Sequence, residues 1–119
     1  DLHRFCCMLL NEGSLDGATI LSPSSGQQML SNQNQPPLST RGLGWDFKDV
    51  VPGYWSCGFL FPPGAVGHTG FTGTSIWFDP LNQWIAIVLT NRVHLSRDGN
   101  LAAMHQFRPR LHNLLLSMV

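Results

Sequence analysis

The sequence predicts an α+β domain, one antiparallel β-sheet with flanking helices. Three observations carry this. Apolar side chains at both ends of the chain recur at helical spacing. From Arg41 the period shifts to two, with Leu43, Trp45 and Phe47 alternating with Gly44 and Asp46. Two β-rich runs, residues 74–78 and 84–90, flank Asp79-Pro80-Leu81-Asn82, which is the signature of a hairpin. Helices followed by strands and a helix fit an α+β layering better than alternating βαβ units.

Taken in order, residues 1–11 place Leu2, Phe5, Cys6, Leu9 and Leu10 at helical spacing, and Gly13 ends the run. So apolar a helix is expected to be buried along more than one side. Leu15-Asp16-Gly17 reads as a turn. Ser22 can cap a second short helix whose first position is Pro23; it runs to about Leu30 and is weakened by Gly26. Residues 31–40 are polar, contain a Pro pair and read as a surface loop. Residues 43–47 suggest a strand and residues 55–60 another. Pro62-Pro63-Gly64 is a turn. Ile85, Ala86, Ile87, Val88 and Leu89 form a continuous apolar run, as in a strand buried on both faces. After a loop over 91–100, residues 101–119 form a closing helix with Leu111, Leu114, Leu115 and Met118 on one stripe and a kink or restart at Pro109. The organisation is one partial domain over 1–119: helical segment 1–30, loop 31–42, antiparallel strands 43–92, loop and helix 93–119.

Bulk properties narrow the function classes. The chain has 119 residues, seven basic and seven acidic, for zero formal net charge. That balance gives no basic patch for nucleic acid, and no apolar run reaches the roughly 20 residues of a membrane span. Charged residues make up 12%, against about 25% in an average soluble domain. A surface so poor in charge suggests a partner covering part of it. Cys6, Cys7 and Cys57 match no metal spacing; they read as buried free thiols and weakly favour a reducing compartment, while the compartment itself is left open. His94, His105 and His112 show no tight ligand spacing, so no metal and no cofactor are implied. Trp45, Trp55, Trp77 and Trp84 read as core.

The stretch with chemical character is Gly67-His68-Thr69-Gly70-Phe71-Thr72-Gly73, which runs straight into the first hairpin strand. Three glycines around one imidazole and two hydroxyls suggest a strand shaped to face a ligand.

With the hairpin, the Val88-Leu89-Thr90-Asn91-Arg92 strand end, the closing helix and the opening Asp1-Leu2-His3-Arg4-Phe5 helix, this stretch resembles the serine β-lactamase and penicillin-binding protein superfamily. The closest likeness is to class C β-lactamases and their esterase-like relatives. The likeness covers most of the chain in order and implies a partial β-lactamase/DD-peptidase-like fold. It implies acyl transfer on an ester, amide or β-lactam. It maps His68 to a position where many relatives carry Lys, Thr69 to a hydroxyl that holds substrate, and Gly70 to a site of close substrate approach. The backbone N–H of Phe71 maps to an oxyanion donor, and Asn91 to a residue near the substrate carboxylate. The family's nucleophile lies in a Ser-x-x-Lys motif. Every serine of this chain lacks Lys at the third following position; the one Lys, Lys48, follows Trp45 by three, and the one Tyr, Tyr54, sits in no matching second motif. The expectation is a C-terminal part of a serine hydrolase, inactive alone. Its partners would be a missing N-terminal portion or a second copy covering an exposed sheet face, and a small acyl substrate. The rival is a non-catalytic binding or assembly module derived from the same fold, possibly oligomeric, and a weaker third reading is a decayed gene product.

Overall fold

A computed structural model describes residues 1–34, 40–49, 53–94 and 96–119. The middle of the expected 31–40 loop lies outside these. Nine elements follow one another: α1 (Leu2–Leu10), β1 (Ser14–Leu15), β2 (Ala18–Thr19), α2 (Pro23–Met29), β3 (Asp46–Phe47), β4 (Val66–Thr69), β5 (Ser75–Asp79), β6 (Trp84–Val88) and α3 (Leu101–Leu116). β3 to β6 form one antiparallel sheet in sequence order, and β1 and β2 a minimal hairpin of their own. The arrangement is α+β.

Local chemistry explains the helix boundaries. Ser22 Oγ accepts the Ser25 N–H at 3.2 Å, and Pro23 takes the first helical position, where a missing N–H costs nothing. Gly26 is buried against the backbone of Glu12 and Gly13, so its small size serves packing between α2 and the end of α1.

The sheet's register assigns side chains to faces. Asp46 opposes Gly67, Thr69 opposes Ser75, and Trp77 opposes Ala86. Alternation then puts Val66, His68, Ile76, Phe78, Ile85 and Ile87 on one face, and Thr69, Ser75, Trp77, Ala86 and Val88 on the other. α1 covers the first face, packing Cys6, Met8 and Leu9 with Trp45, Phe47, Val66 and Phe78. α3 lies across the second, where Leu116 joins Cys57, Phe61, Ala65, Trp77 and Ala86. Each face therefore carries a helix.

The hairpin forms as expected. Asp79, 2% exposed, ties its own turn: Oδ1 accepts the Leu81 N–H at 2.9 Å and Oδ2 the Asn82 amide at 2.5 Å. Cys6 and Cys57 are buried free thiols, and Cys7 is half-buried. Burial pushes Cys6 up to about 11, and Cys57 to about 12 despite Lys48, so neither is a ready nucleophile.

Several expectations need correction. The strand over 43–47 shrinks to Asp46–Phe47, because Gly44 adopts φ +84 and the Gly42 N–H closes a turn on the Trp45 carbonyl. Residues 55–60 are not a strand. They form turns that wrap around Lys48, whose ammonium donates to the carbonyls of Gly58, Phe59 and Phe61. β6 is the edge strand and is not buried on both faces: Ala86 and Val88 are buried, Ile85 and Ile87 partly so, and Leu89 just beyond it is 68% exposed. α3 buries Met104, Arg108, His112 and Leu116, every fourth residue, and exposes Leu114, Leu115 and Met118. Pro109 sits inside that helix without restarting it. α1 is also buried chiefly in its second half, at Cys6, Met8 and Leu9, while Leu2 and Phe5 stay exposed.

Gly67 is the tightest point of the sheet. A Cβ there would stand 2.2 Å from the Trp77 indole and 2.4 Å from the Ile76 carbonyl. At Gly70 the nearest atom is the Thr74 hydroxyl, at 2.1 Å, which can rotate away. We expect Gly67→Ala to lower the unfolding free energy by on the order of 2–3 kcal/mol, as overpacking does. Gly70→Ala should cost less than half of that. Urea denaturation of the two variants checks the order.

Candidate active site

The stretch 67–73 forms the end of β4 and the turn into β5. β3 pairs with β4 only at Val66 and Gly67. From His68 onward the outer edge of β4 is unpaired among the described strands, so its backbone can meet an extended ligand there.

The turn is held by its carbonyls. Arg108, 6% exposed, reaches across from α3: Nε donates to Gly73 O at 3.1 Å, and Nη2 to Gly70 O at 2.8 Å and Thr74 O at 3.2 Å. Arg92 holds the turn from its other side. Its backbone N–H donates to Thr72 O at 2.8 Å, its Nε to Phe71 O at 2.7 Å, and its guanidinium lies 4.5 Å from the centre of the Phe71 ring. Gly70 N–H closes on Thr74 O at 2.8 Å. All five carbonyls from Gly70 to Thr74 are thus engaged. The N–H groups of Phe71 and Thr72 make no hydrogen bond among the described residues.

The other expected residues distribute around this turn. His68 is exposed; its Nε2 lies 3.1 Å from Arg41 Nη1, and Arg41 Nε lies 2.6 Å from Asp46 Oδ1. A guanidinium can only donate, so Nε2 accepts and the ring hydrogen sits on Nδ1. The chain thus brings an arginine beside the imidazole, its charge shared with Asp46. Thr69, the next residue, faces the opposite side of the sheet. Asn91 is exposed and follows Thr90, whose hydroxyl abuts Gly73, so Asn91 stands at the same end of the sheet. His68, Thr69 and Gly70 border a cavity of about 280 Å³ with Leu2, Ile76 and Leu89. The narrow space at Gly70 is filled by Thr74, so its missing Cβ serves the turn itself.

This constellation has a family. Residues 1–108 match the β-lactamase family. The chain belongs to that family. Relatives from Salmonella paratyphi B, Salmonella newport and Salmonella heidelberg, provisionally named D-alanyl-D-alanine carboxypeptidases, are each 31% identical over 94 residues. The match covers 79% of this chain and 21% of theirs, so the chain spans about a fifth of the length of these relatives. The β-lactamase family assignment makes the chain a serine-hydrolase family member. No group of three His, Cys, Asp or Glu side chains among the described residues could hold a metal ion.

Sequence reasoning missed Arg92 and Arg108 as supports of this turn, and Arg41 and His112 as partners of His68 and Ser75 beside it. One signal was available: Met104, Arg108, His112 and Leu116 repeat every fourth residue, so the two polar members share a helix face with two apolar ones. His112 is fully buried, with Nε2 3.0 Å from Ser75 Oγ and its ring against Phe61. Its Nδ1 has no partner among the described residues. Nε2–H donating to Ser75 leaves Nδ1 a bare acceptor rather than a buried N–H. Burial, reinforced by the Arg108 charge, lowers its pKa to about 4.

That depression has a pH signature. Below the unfolded value of about 6.5 the unfolded chain takes up a proton that the folded chain refuses until pH about 4. His112 therefore adds stability that is complete above pH 6.5 and drains away as pH falls toward 4, on the order of 3 kcal/mol in all. Urea unfolding of wild type and His112→Gln between these limits should show a shallower acid loss in the variant. Parallel pH profiles would show that another group carries the slope.

Proposed function

We propose that this chain supplies one wall of the acyl-transfer cleft of a serine hydrolase. The observation that carries the reading is the turn: five carbonyls tied down while the N–H of Phe71 stays unused, beside a free strand edge. A backbone N–H held without freedom to reorganise is what a developing oxyanion needs. His68, Thr69, Gly70 and Asn91 would contact the substrate around it, and the cavity bordered by Leu2, Ile76 and Leu89 would take a small acyl group. The reaction would be attack by a serine on an ester, amide or β-lactam carbonyl, an acyl-enzyme, then hydrolysis. Serine and its lysine would come from outside these 119 residues, since no serine in them has Lys three positions on. The carboxypeptidase name of the Salmonella relatives favours a peptide-like substrate.

The purified chain should hydrolyse neither a chromogenic ester nor a chromogenic β-lactam; turnover that survives contaminant controls would overturn the reading. In a protein joining this region to a Ser-x-x-Lys segment, Phe71→Pro, which deletes the N–H, should lower kcat by about 10²–10³. Phe71→Ala, which keeps it, should stay within about tenfold. Equal losses would remove the oxyanion role.

A second reading, a non-catalytic binding or assembly module, draws support from an apolar groove of about 450 Å³ on the outer side of α3, lined by Ala103, Phe107, Leu111 and Leu114 among others. Sedimentation separates the two: a stable dimer of the chain favours assembly, and a monomer at high concentration argues against it.

A further inference from the structure

Arg41 joins two groups that belong to opposite faces of the sheet. Asp46 borders a cavity of about 270 Å³ on the α3 side, with Tyr54, Ser56, Thr69 and Arg108. His68 borders the cavity on the α1 side, with Leu2, Ile76 and Leu89. Arg41 Nε lies 2.6 Å from Asp46 Oδ1, and Nη1 lies 3.1 Å from His68 Nε2. The side chain therefore passes from one face to the other around the end of β3, where the outer edge of β4 is open.

The backbone builds this strap. Arg41 and Asp46 are bridged antiparallel partners, and the Gly42 N–H closes the loop between them on the Trp45 carbonyl. Asp46 opposes Gly67, the residue before His68. The carboxylate thus anchors the guanidinium beside the imidazole.

The contact has one direction. A guanidinium carries donors and no acceptor. While Nη1 donates to Nε2, the lone pair there is occupied and the ring proton sits on Nδ1. Nδ1 has no hydrogen bond among the described residues. An imidazole so held can donate through Nδ1 and cannot take a proton at Nε2. We propose that Arg41, anchored by Asp46, is a positioning residue that fixes His68 as an Nδ1–H donor. The substrate group facing His68 is then an oxygen acceptor, and His68 is not the base of the reaction. The substrate side of this rests on the acyl-transfer reading; the state of the ring can be read without it.

Long-range nitrogen–proton correlation spectra of the isotope-labelled chain, at pH about 8 where an unperturbed imidazole is neutral, report which ring nitrogen carries the proton. The signal lost in His68→Ala identifies the ring among five histidines. Wild type should show the Nδ1–H pattern. Arg41→Met should turn it mainly to Nε2–H, the form a histidine in water prefers without a partner, and Asp46→Asn should move it part of the way. In a protein joining this region to a Ser-x-x-Lys segment, Arg41→Met should lower kcat/KM about fivefold, the loss expected for one hydrogen bond. With His68 already Ala, the same change should cost less than about twofold. The proposal is overturned by an Nε2–H pattern in wild type, or by an unchanged tautomer in an Arg41→Met variant that circular dichroism shows folded. Where that variant is not folded, wild type and Asp46→Asn decide. An Arg41→Met loss equally large with and without His68 also overturns it. A joined protein that hydrolyses neither ester nor β-lactam strikes the acyl-transfer reading, and the tautomer then decides this proposal alone.

Discussion

The molecule turns on one guanidinium. Arg108 crosses from α3 to the far end of the sheet and gathers the carbonyls of Gly70, Gly73 and Thr74. Without those bonds the Gly73 oxygen would lie beside a helix with no donor among the described residues, the Gly70 and Thr74 oxygens would keep one backbone N–H each, and a buried cation would stand uncompensated. Hydrogen bonds to a charged group contribute roughly 1.5–3 kcal/mol each, and removing one partner strands the other. The same device recurs at Lys48, 8% exposed, which collects the carbonyls of Gly58, Phe59 and Phe61. Burial lowers the pKa of both cations, and the Tyr54 phenolate form would pull Arg108 back up. The carbonyls around each are what let a charged group stay inside. Two irregular segments, one after β3 and one after β4, thus owe their shape to a long side chain from elsewhere rather than to their own sequence.

This arrangement alters what the Gly67 to Gly73 stretch can do. Strand alternation sends His68 toward the α1 side and Thr69 toward the α3 side, so no flat substrate could lie against both side chains from one face of the sheet. A ligand along the open edge of β4 could reach both, because an edge adjoins both faces. The backbone, more than any one side chain, is then the chemically distinctive surface. Arg108 on the Gly70 carbonyl and Arg92 on the Phe71 carbonyl fix the two peptide units whose N–H groups, those of Phe71 and Thr72, remain available.

How much of this was legible in the sequence depended on whether local pattern or distant contact decided the outcome. The β5–β6 hairpin was legible because Asp79 closes its own turn and the flanking runs are rich in β-branched and aromatic residues. The α2 start was legible for the same reason: Ser22 and Pro23 act within one turn of each other. Residues 55–60 were not, because Lys48 lies ten to thirteen positions from the carbonyls it binds. The buried stripe of α3 was misread because hydrophobicity pointed to Leu114, Leu115 and Met118. The face that packs is chosen by acceptors on the sheet: Ser75 Oγ for His112 and the turn carbonyls for Arg108. The motif at 67–70 was visible as composition, but the reasons for its glycines were not. Gly67 makes room for the Trp77 ring and Gly70 for the Thr74 hydroxyl, and neither neighbour is adjacent in sequence.

The exposed apolar side chains complete the picture of which surface is chemically open. α1 seals its face of the sheet at Val66 and Phe78 through Met8 and Leu9, but its first half leaves Leu2 and Phe5 at 42% and 40% exposure. Leu89, at the same end of the sheet, is 68% exposed. Between them lies the cavity bordered by His68, Thr69 and Gly70. An apolar floor with a few polar groups at its rim is the usual build of a small-molecule site. The low charge of the chain has its counterpart in such patches: apolar surface is left where a ligand or another protein element can cover it. The α3 side differs in kind. There the open space borders a cation and hydroxyls rather than leucines, so the two sides of one strand end present opposite chemistries, apolar toward α1 and cationic toward α3. A single buried arginine produces that asymmetry, since the guanidinium that fixes the turn also stands at the cavity wall.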